Sequence, residues 1–235
     1  MQTVSLSLFR FDGLRDRLWA FAQMGLARQK LSATPDIGFW KLCGSGTGEG
    51  FTPRPNTAVY AILATWPDLA TAQARTADGA VHARHAGEAA ESWHIFLRPV
   101  SARGAWTGAA PFIPHDDTGI GPIAALTRAT LRPAKAAQFW RRVPDISQVI
   151  GADPNVLFKI GIGEVPLLHQ VTFSIWPDAA TMARFARADG PHARAIAAVR
   201  AGDWFAEELY ARFRLLDTRG TWGGTDPLSE RTQAA

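Results

Sequence analysis

Histidine is the side chain of this sequence best able to hold a metal or a metal-bearing cofactor, because there are six histidines but a single cysteine, Cys43. His192 shares an apolar helical stripe with Ile196, four residues on. His169 lies on the apolar face of a predicted strand with Val171. Each histidine is either a hydrogen-bonded core residue or an axial ligand to a haem held between helix and sheet.

Other residues could share this role. His82 has in the first half of the chain the place that His192 has in the second, so it is the alternative ligand. His94 and His115 are weaker candidates, since one begins a predicted strand and the other lies in a linker. Arginines could pair with haem propionates, although arginines on strands are more often surface charge: Arg128, Arg194, Arg212 and Arg214.

Other kinds of site have little support. Residues 44–50 are rich in glycine but lack the Gly-Lys-Ser/Thr ending of a phosphate-binding loop, and a strand follows where a dinucleotide fold needs a helix. We predict a long hairpin loop there, with a lid over a cavity as the alternative. The sequence has no His-Glu-x-x-His pair for zinc and no Gly-x-Ser-x-Gly elbow for a serine nucleophile.

The elements that would position these residues follow one plan twice. A strand ends in Trp66-Pro-Asp68 and passes into a helix, and another does so at Trp176-Pro-Asp178. Proline cannot continue a strand ladder, and each aspartate offers a helix N-cap. Two further matches follow in the same order: Asp78-Gly79 with Asp189-Gly190, and residues 103–108 with 219–224. Three ordered matches predict an internal repeat.

Each unit has the order βαββαβ, which is the ferredoxin-like plan. We therefore predict an α+β fold in which tandem ferredoxin-like repeats form a fused dimeric α+β barrel, because each sheet can bury the bare face of the other. The predicted boundaries are the first repeat, the linker, the second, haem-bearing repeat and a flexible tail: residues 1–110, 111–121, 122–226 and 227–235.

The first predicted helix runs from about residue 13 to residue 30, with Asp12 as its N-cap. Apolar side chains lie near the spacing of one helix face, which is typical of a helix that packs on a sheet: Leu14, Leu18, Phe21 and Met24.

Composition limits the setting in which the protein works. The formal net charge of +4 favours acidic proteins, anionic lipid or nucleic acid as partners, but no nucleic-acid recognition motif is present. One cysteine fits a reducing compartment, and no stretch approaches the about 20 apolar residues of a membrane span. We expect a cytoplasmic protein that at most rests on a membrane surface.

Segments from both halves carry a resemblance that covers nearly the whole chain. They are MQTVSLSLFRF (1–11), RLWAFAQM (17–24), FWK (39–41), GTGEGFTP (46–53), PIAALTRAT (122–130), GIGEVP (161–166), QVTFSIWPD (170–178) and EELYARF (207–213). In these segments the sequence resembles the spheroidene monooxygenases, the family of acyclic carotenoid 2-ketolases.

The resemblance implies a haem-dependent monooxygenase of carotenoid biosynthesis in anoxygenic photosynthesis. Such enzymes oxidise C-2 of spheroidene-type carotenoids twice, through a 2-hydroxy intermediate, with O2 and reduced ferredoxin. Analogy with haem proteins of this barrel class implies haem b, with its iron, in the second repeat. We expect His192 as the axial ligand, His169 as a catalytic residue or reserve ligand, and Arg128 and Arg194 as cofactor contacts.

Two rival functions stay open at this point. In a cofactor-free monooxygenase of the same barrel class the polyene itself would activate O2, and iron content separates that enzyme from a haem enzyme. A carotenoid carrier would bind the polyene without consuming O2. For either oxygenase, a basic surface would suit an acidic ferredoxin and the anionic lipid of the inner or photosynthetic membrane.

Overall fold

The computed structural model describes residues 1–48, 50, 52–117, 119–141, 155–187 and 203–228. Its strands are β1 (Thr3–Arg10), β2 (Trp40–Gly46), β3 (Pro55–Trp66), β4 (Glu91–Gly104), β5 (Ile123–Leu131), β6 (Phe158–Gly163), β7 (His169–Trp176) and β8 (Phe205–Gly220). The described helices are α1 (Leu14–Ser32), α2 (Leu69–Asp78), α3 (Ala80–Glu88), α4 (residues 133–141) and α5 (Ala179–Arg187).

These strands close into one antiparallel barrel in the order β1-β3-β2-β6-β7-β5-β8-β4. The order β4-β1-β3-β2 of the first half recurs as β8-β5-β7-β6 in the second. The halves join where β2 pairs with β6 and where β4 pairs with β8. The predicted α+β class and the closed barrel are therefore confirmed.

Alternate side chains of every strand fill the barrel interior. On β1 these are Val4, Leu6 and Leu8, and on β7 they are Val171, Phe173 and Ile175, all at most 1% exposed. The side chains between them point outward, because successive residues of a strand face opposite sides of the sheet. A slip of one residue in the pairing would exchange the two faces, so the apolar pattern specifies the register.

The two Trp-Pro-Asp segments start helices as the sequence predicts. Asp68 Oδ1 accepts a hydrogen bond from the backbone N–H of Thr71 at 2.8 Å, and Asp178 Oδ1 accepts one from Thr181 at 2.6 Å. These bonds satisfy amides that a helix N-terminus leaves free. The predicted second-half break at Asp189 lies outside the described residues.

The predictions for α1 need two corrections. Gly13 is the N-cap residue and gives no side-chain hydrogen bond, whereas Asp12 pairs with Arg10 at 2.7 Å, so the predicted Asp12 cap is wrong. The expected packing face is also wrong for most of its residues: Leu14, Leu18 and Phe21 are exposed. The buried face of α1 consists of small residues and one leucine, which let the helix lie close to the sheet: Ala20, Ala27 and Leu31.

The glycine-rich segment lies where β2 turns into β3. β2 extends to Gly46, β3 starts at Pro55, and the strands pair antiparallel. The predicted hairpin loop is thus confirmed. Among the described helices, none has the length and apolar character needed to cross a bilayer.

Candidate functional site

Strand register gives each outward-facing residue of the first half an equivalent in the second. Thr3 pairs with Trp66 between β1 and β3, and Ile123 pairs with Trp176 between β5 and β7. Counting along each strand from these pairs makes Phe9 equivalent to Ala129 in the second half. The outer faces of the two half-sheets can therefore be compared residue by residue.

Large apolar side chains fill the outer face of the first half. They form two clusters against the helices: Phe9, Leu42, Tyr60 and Ile62 against α1 and α3, and Ala64, Trp66 and Phe96 against α2. The helix–sheet interface of this half is thus an ordinary packed core.

Several equivalent positions in the second half carry smaller or polar side chains, although Trp176 keeps the place of Trp66. Ala129 stands in place of Phe9, Gln170 of Tyr60, Gly161 of Leu42, Thr172 of Ile62 and Arg212 of Phe96. We call the surface formed by Ala129, Gly161 and Thr172, together with Thr127 between them, the flat wall. Protein interiors are close-packed, so volume given up on the sheet is filled either by other side chains of the protein or by a bound group.

One described apolar cluster of the second half lies at one end of the sheet, while Phe139 on α4 contacts Trp204 and Phe205 near the other end. Trp176 contacts Phe185 of α5 with 4.9 Å between ring centroids, and Ile123, Val156 and Met182 complete the cluster. The flat wall lies beyond this cluster, toward the ends of β5 and β6. Ala129 is 5% exposed, and Gly161 lies against Gly50 of the glycine-rich segment.

Two of the predicted haem contacts, His192 and Arg194, lie outside the described residues. His82 lies on α3 in the packed first half, 1% exposed, with its ring 6.2 Å from that of Trp66. Burial lowers the pKa of His82 to about 3, so the imidazole is neutral at physiological pH. Its Nε2 has no hydrogen-bond partner. His82 therefore lies in the packed core of the first half and not beside the flat wall.

The structure brings Arg128 and His169 to the same mouth of the barrel, on the inner side of the sheet. Arg128 is 1% exposed, forms an ion pair with Glu207, and lies with its Cζ 5.7 Å from the ring centre of Trp106. His169 opens β7 with its Nδ1 3.4 Å from Glu164 Oε2. The flat wall faces the other side of the sheet.

Of the remaining candidate arginines, both lie on the outer side of β8. Arg214 is held by Asp117 at 2.7 Å and by the carbonyl oxygen of Gly121 at 2.6 Å. Arg212 is exposed and lies opposite Ala125, which packs against the Trp176 cluster. Tyr210 and Glu208 are the residues of β8 that lie opposite the flat wall. Arg214 is therefore held by groups of the protein, while Arg212 is open to solvent.

Sequence reasoning missed Glu164, which contacts several side chains at the mouth of the barrel. Glu164 Oε1 lies 2.9 Å from Lys41 Nζ, and Glu164 Oε2 accepts a hydrogen bond from Trp106 Nε1 at 2.7 Å. Burial opposes ionisation of Glu164, but hydrogen bonds from Lys41 and Trp106 outweigh it, so the pKa of Glu164 is lowered. Burial also raises the pKa of the nearby Cys43 thiol. The missed signal was the alternation that turns Lys41 inward between Phe39 and Cys43.

The segment that ends each half binds a glutamate carboxylate of the other half. Glu207 accepts hydrogen bonds from the backbone N–H groups of Thr107 at 2.9 Å and Gly108 at 2.7 Å. Glu91 accepts equivalent bonds from Gly223 at 3.0 Å and Gly224 at 2.7 Å. The repeated 103–108 and 219–224 segments therefore tie β4 to β8.

Comparison with known proteins shows which family this chain belongs to. The chain is 54% identical over 234 residues to the spheroidene monooxygenase of Rhodobacter capsulatus, covering 98% of this chain and 97% of that protein. The chain belongs to the spheroidene monooxygenase family. A second spheroidene monooxygenase, from Cereibacter sphaeroides, is 52% identical over 236 residues, covering 100% of this chain and 73% of that protein. No family model matches the sequence.

The resemblance found in the sequence segments is thus confirmed for the family. Among solved structures, the barrel of this spheroidene monooxygenase family member is similar to an aldoxime dehydratase crystallised with butyraldoxime. The TM-score is 0.59 at 11% identity, over 92% of this chain and 80% of that one. At that identity the likeness shows a shared fold. Within the described residues, no group of three or more His, Cys, Asp or Glu side chains is placed to hold a metal ion.

Proposed function

We propose that this protein oxidises C-2 of acyclic carotenoids, converting spheroidene to spheroidenone through the 2-hydroxy compound. The names of its relatives support a carotenoid monooxygenase. Each hydroxylation combines one C–H bond with O2, two electrons and two protons to give C–OH and water. Reduced ferredoxin is the proposed electron donor, and loss of water after the second hydroxylation gives the ketone.

Amino-acid side chains alone do not attack an unactivated C–H bond, so the reaction needs a redox group. We propose haem b, which when bound supplies the activation of O2. The observation that carries this proposal is the flat wall, where Ala129, Gly161 and Thr172 replace Phe9, Leu42 and Ile62 of the first half. Such a wall fits one face of a planar macrocycle.

The chain's own residues would hold and surround this group. His192 is the proposed axial ligand, because it follows α5 in sequence and shares an apolar stripe with Ile196. Arg212 and Arg194 are the proposed partners of the propionates. His169 and Arg128 lie across the sheet from the flat wall, so their proposed role is to hold the barrel mouth together with Glu164 and Glu207.

The two halves, residues 1–110 and 122–226, are proposed to be tandem ferredoxin-like repeats. The shared strand order and the reciprocal binding of Glu91 and Glu207 support a common plan for both. On this plan the first half keeps its outer face as a packed core, while the second half has given up that packing for a binding surface.

The experiment is turnover by the purified, haem-supplied protein with spheroidene, O2 and reduced ferredoxin, followed by mass spectrometry. The expected products gain one oxygen atom and then, in the ketone, lose two hydrogens relative to the alcohol. Carotenoid binding without O2 consumption would make the protein a carrier. Full turnover by protein free of iron would instead establish the cofactor-free mechanism.

A further inference from the structure

α1 carries an apolar stripe on the side that faces away from the barrel. Leu14, Leu18, Phe21 and Leu26 are between 62% and 76% exposed. The spacing of Leu14, Leu18 and Phe21 places these three on one side of the helix, since residues three and four apart share a face, and Leu26 lies outside this stripe. Gly25 lies in the same stripe, and a Cβ added there would meet no atom within 4 Å. Nothing in the described part of the chain covers this surface.

Folding of the barrel does not require this stripe. The packing of α1 on the sheet is already supplied by its opposite side, through Ala20, Ala27 and Leu31. Single exposed apolar residues are common on protein surfaces, but a contiguous stripe of large ones marks an interaction site. We therefore expect the stripe to bind a partner that has an apolar interior or surface.

Basic side chains border the stripe. Arg15 lies along one edge, and Arg17 and Arg28 lie along the other. Two of them are held in place: Arg17 Nε donates to the Phe11 carbonyl oxygen at 2.9 Å, and Arg28 Cζ lies 5.4 Å from the ring centre of Trp40. Asp16 is the single acidic residue of α1 and lies away from the stripe.

We propose that α1 docks flat on an anionic lipid bilayer. Its leucines and phenylalanine would enter the boundary between headgroups and acyl chains, while the bordering arginines contact lipid phosphates. The alternative occupant, a second copy of this chain, would bring the arginine edges of two α1 helices together without acidic partners, because an isologous contact repeats the same surface. This inference goes beyond the proposed chemistry and does not depend on it.

The test is cosedimentation of the purified protein with vesicles, in the absence of haem, carotenoid and ferredoxin. The parent should bind phosphatidylglycerol–phosphatidylcholine vesicles, bind pure phosphatidylcholine vesicles weakly, and release as salt concentration rises. The double variant Leu18→Glu, Phe21→Glu should lose about tenfold or more in binding, because it places two charges at the apolar boundary. Both positions are exposed, so its thermal unfolding midpoint should match the parent's.

Ile120→Glu is the matched control, since Ile120 is 102% exposed and lies outside α1. This variant should bind vesicles as the parent does. The proposal is overturned if the parent does not bind anionic vesicles, or if the double variant binds them equally well. A parent that self-associates on size exclusion without binding vesicles, and that becomes monomeric in the double variant, would assign the stripe to a second copy instead. Turnover plays no part in this assay, so its failure and that of the proposed reaction are distinguishable.

Discussion

Ala129 on β5 occupies the position that Phe9 occupies on β1. Phe9 faces Tyr60 across the β1–β3 pairing and packs under α1 and α3, whereas Ala129 faces Gln170 across the β5–β7 pairing. The same strand order thus carries large apolar side chains at these positions in one half and small or polar side chains in the other. This difference is the structural basis for the proposed cofactor site.

Refilling the flat wall should weaken haem binding. Ala129→Phe restores the side chain of the first half and would occupy the space proposed for the macrocycle. We expect haem binding to weaken by at least about tenfold, because a bulky ring cannot share that volume. Haem titration followed by absorbance measures the effect. Ala129→Ser adds little volume and should bind haem as the parent does; equal binding by the phenylalanine variant would place the group elsewhere.

The first half should make the protein sensitive to acid. Burial lowers the pKa of His82 to about 3 and of His94 to about 4, from an ordinary value of 6.5, and burial also lowers the pKa of His85. These histidines stay neutral when folded but gain protons when unfolded. Stability is therefore fully present above pH 6.5 and is lost as pH falls from 6.5 toward 3, by up to about 1.4 kcal/mol per pH unit for each histidine.

Removing the His82 imidazole should make the free energy of unfolding depend less steeply on pH. Urea denaturation of the parent and of His82→Leu at several pH values below 6.5 should give slopes that differ by up to about 1.4 kcal/mol per pH unit. Above pH 7 the two curves should run parallel, which provides the internal control. Identical slopes at acid pH would mean that His82 is protonated in the folded protein.

Glu207 and Glu91, which each bind the closing segment of the other half, should contribute differently to the stability of the fold. Arg128 is 1% exposed and Arg10 is 40% exposed, although Glu207 and Glu91 play equivalent parts. Glu207→Gln leaves a buried guanidinium without its counter-ion and should destabilise the fold by on the order of 3 kcal/mol. Glu91→Gln leaves a solvated arginine and should cost about 1 kcal/mol. Chemical denaturation compares them, and equal costs would argue against a buried charge at Arg128.

Local signals in the sequence predicted much of this fold. The aspartates of the Trp-Pro-Asp segments cap α2 and α5 because the capping bond is made within three residues, and strand alternation identified the barrel interior. Periodicity could not orient α1, because apolar residues lie on two of its sides and spacing alone does not say which side meets the sheet.

Contacts between residues that lie far apart in the chain could not be predicted from the sequence. The contact between Lys41 on β2 and Glu164, which follows β6, joins the two halves, and the comparison of Phe9 with Ala129 needs the register of two strand pairs. The candidate ligand His192 came from an apolar stripe and from family resemblance, while the small residues of the flat wall could be recognised only once the neighbours of each strand were known.

The most direct test of a haem on the flat wall of the second half is the ultraviolet-visible spectrum of the protein expressed with haem supplied, beside His192→Ala and Ala129→Phe. If haem lies there, we expect a Soret band in the parent that shifts or disappears in His192→Ala and is strongly reduced in Ala129→Phe. A folded, active parent without a Soret band, or a band unchanged in both variants, would contradict this proposal.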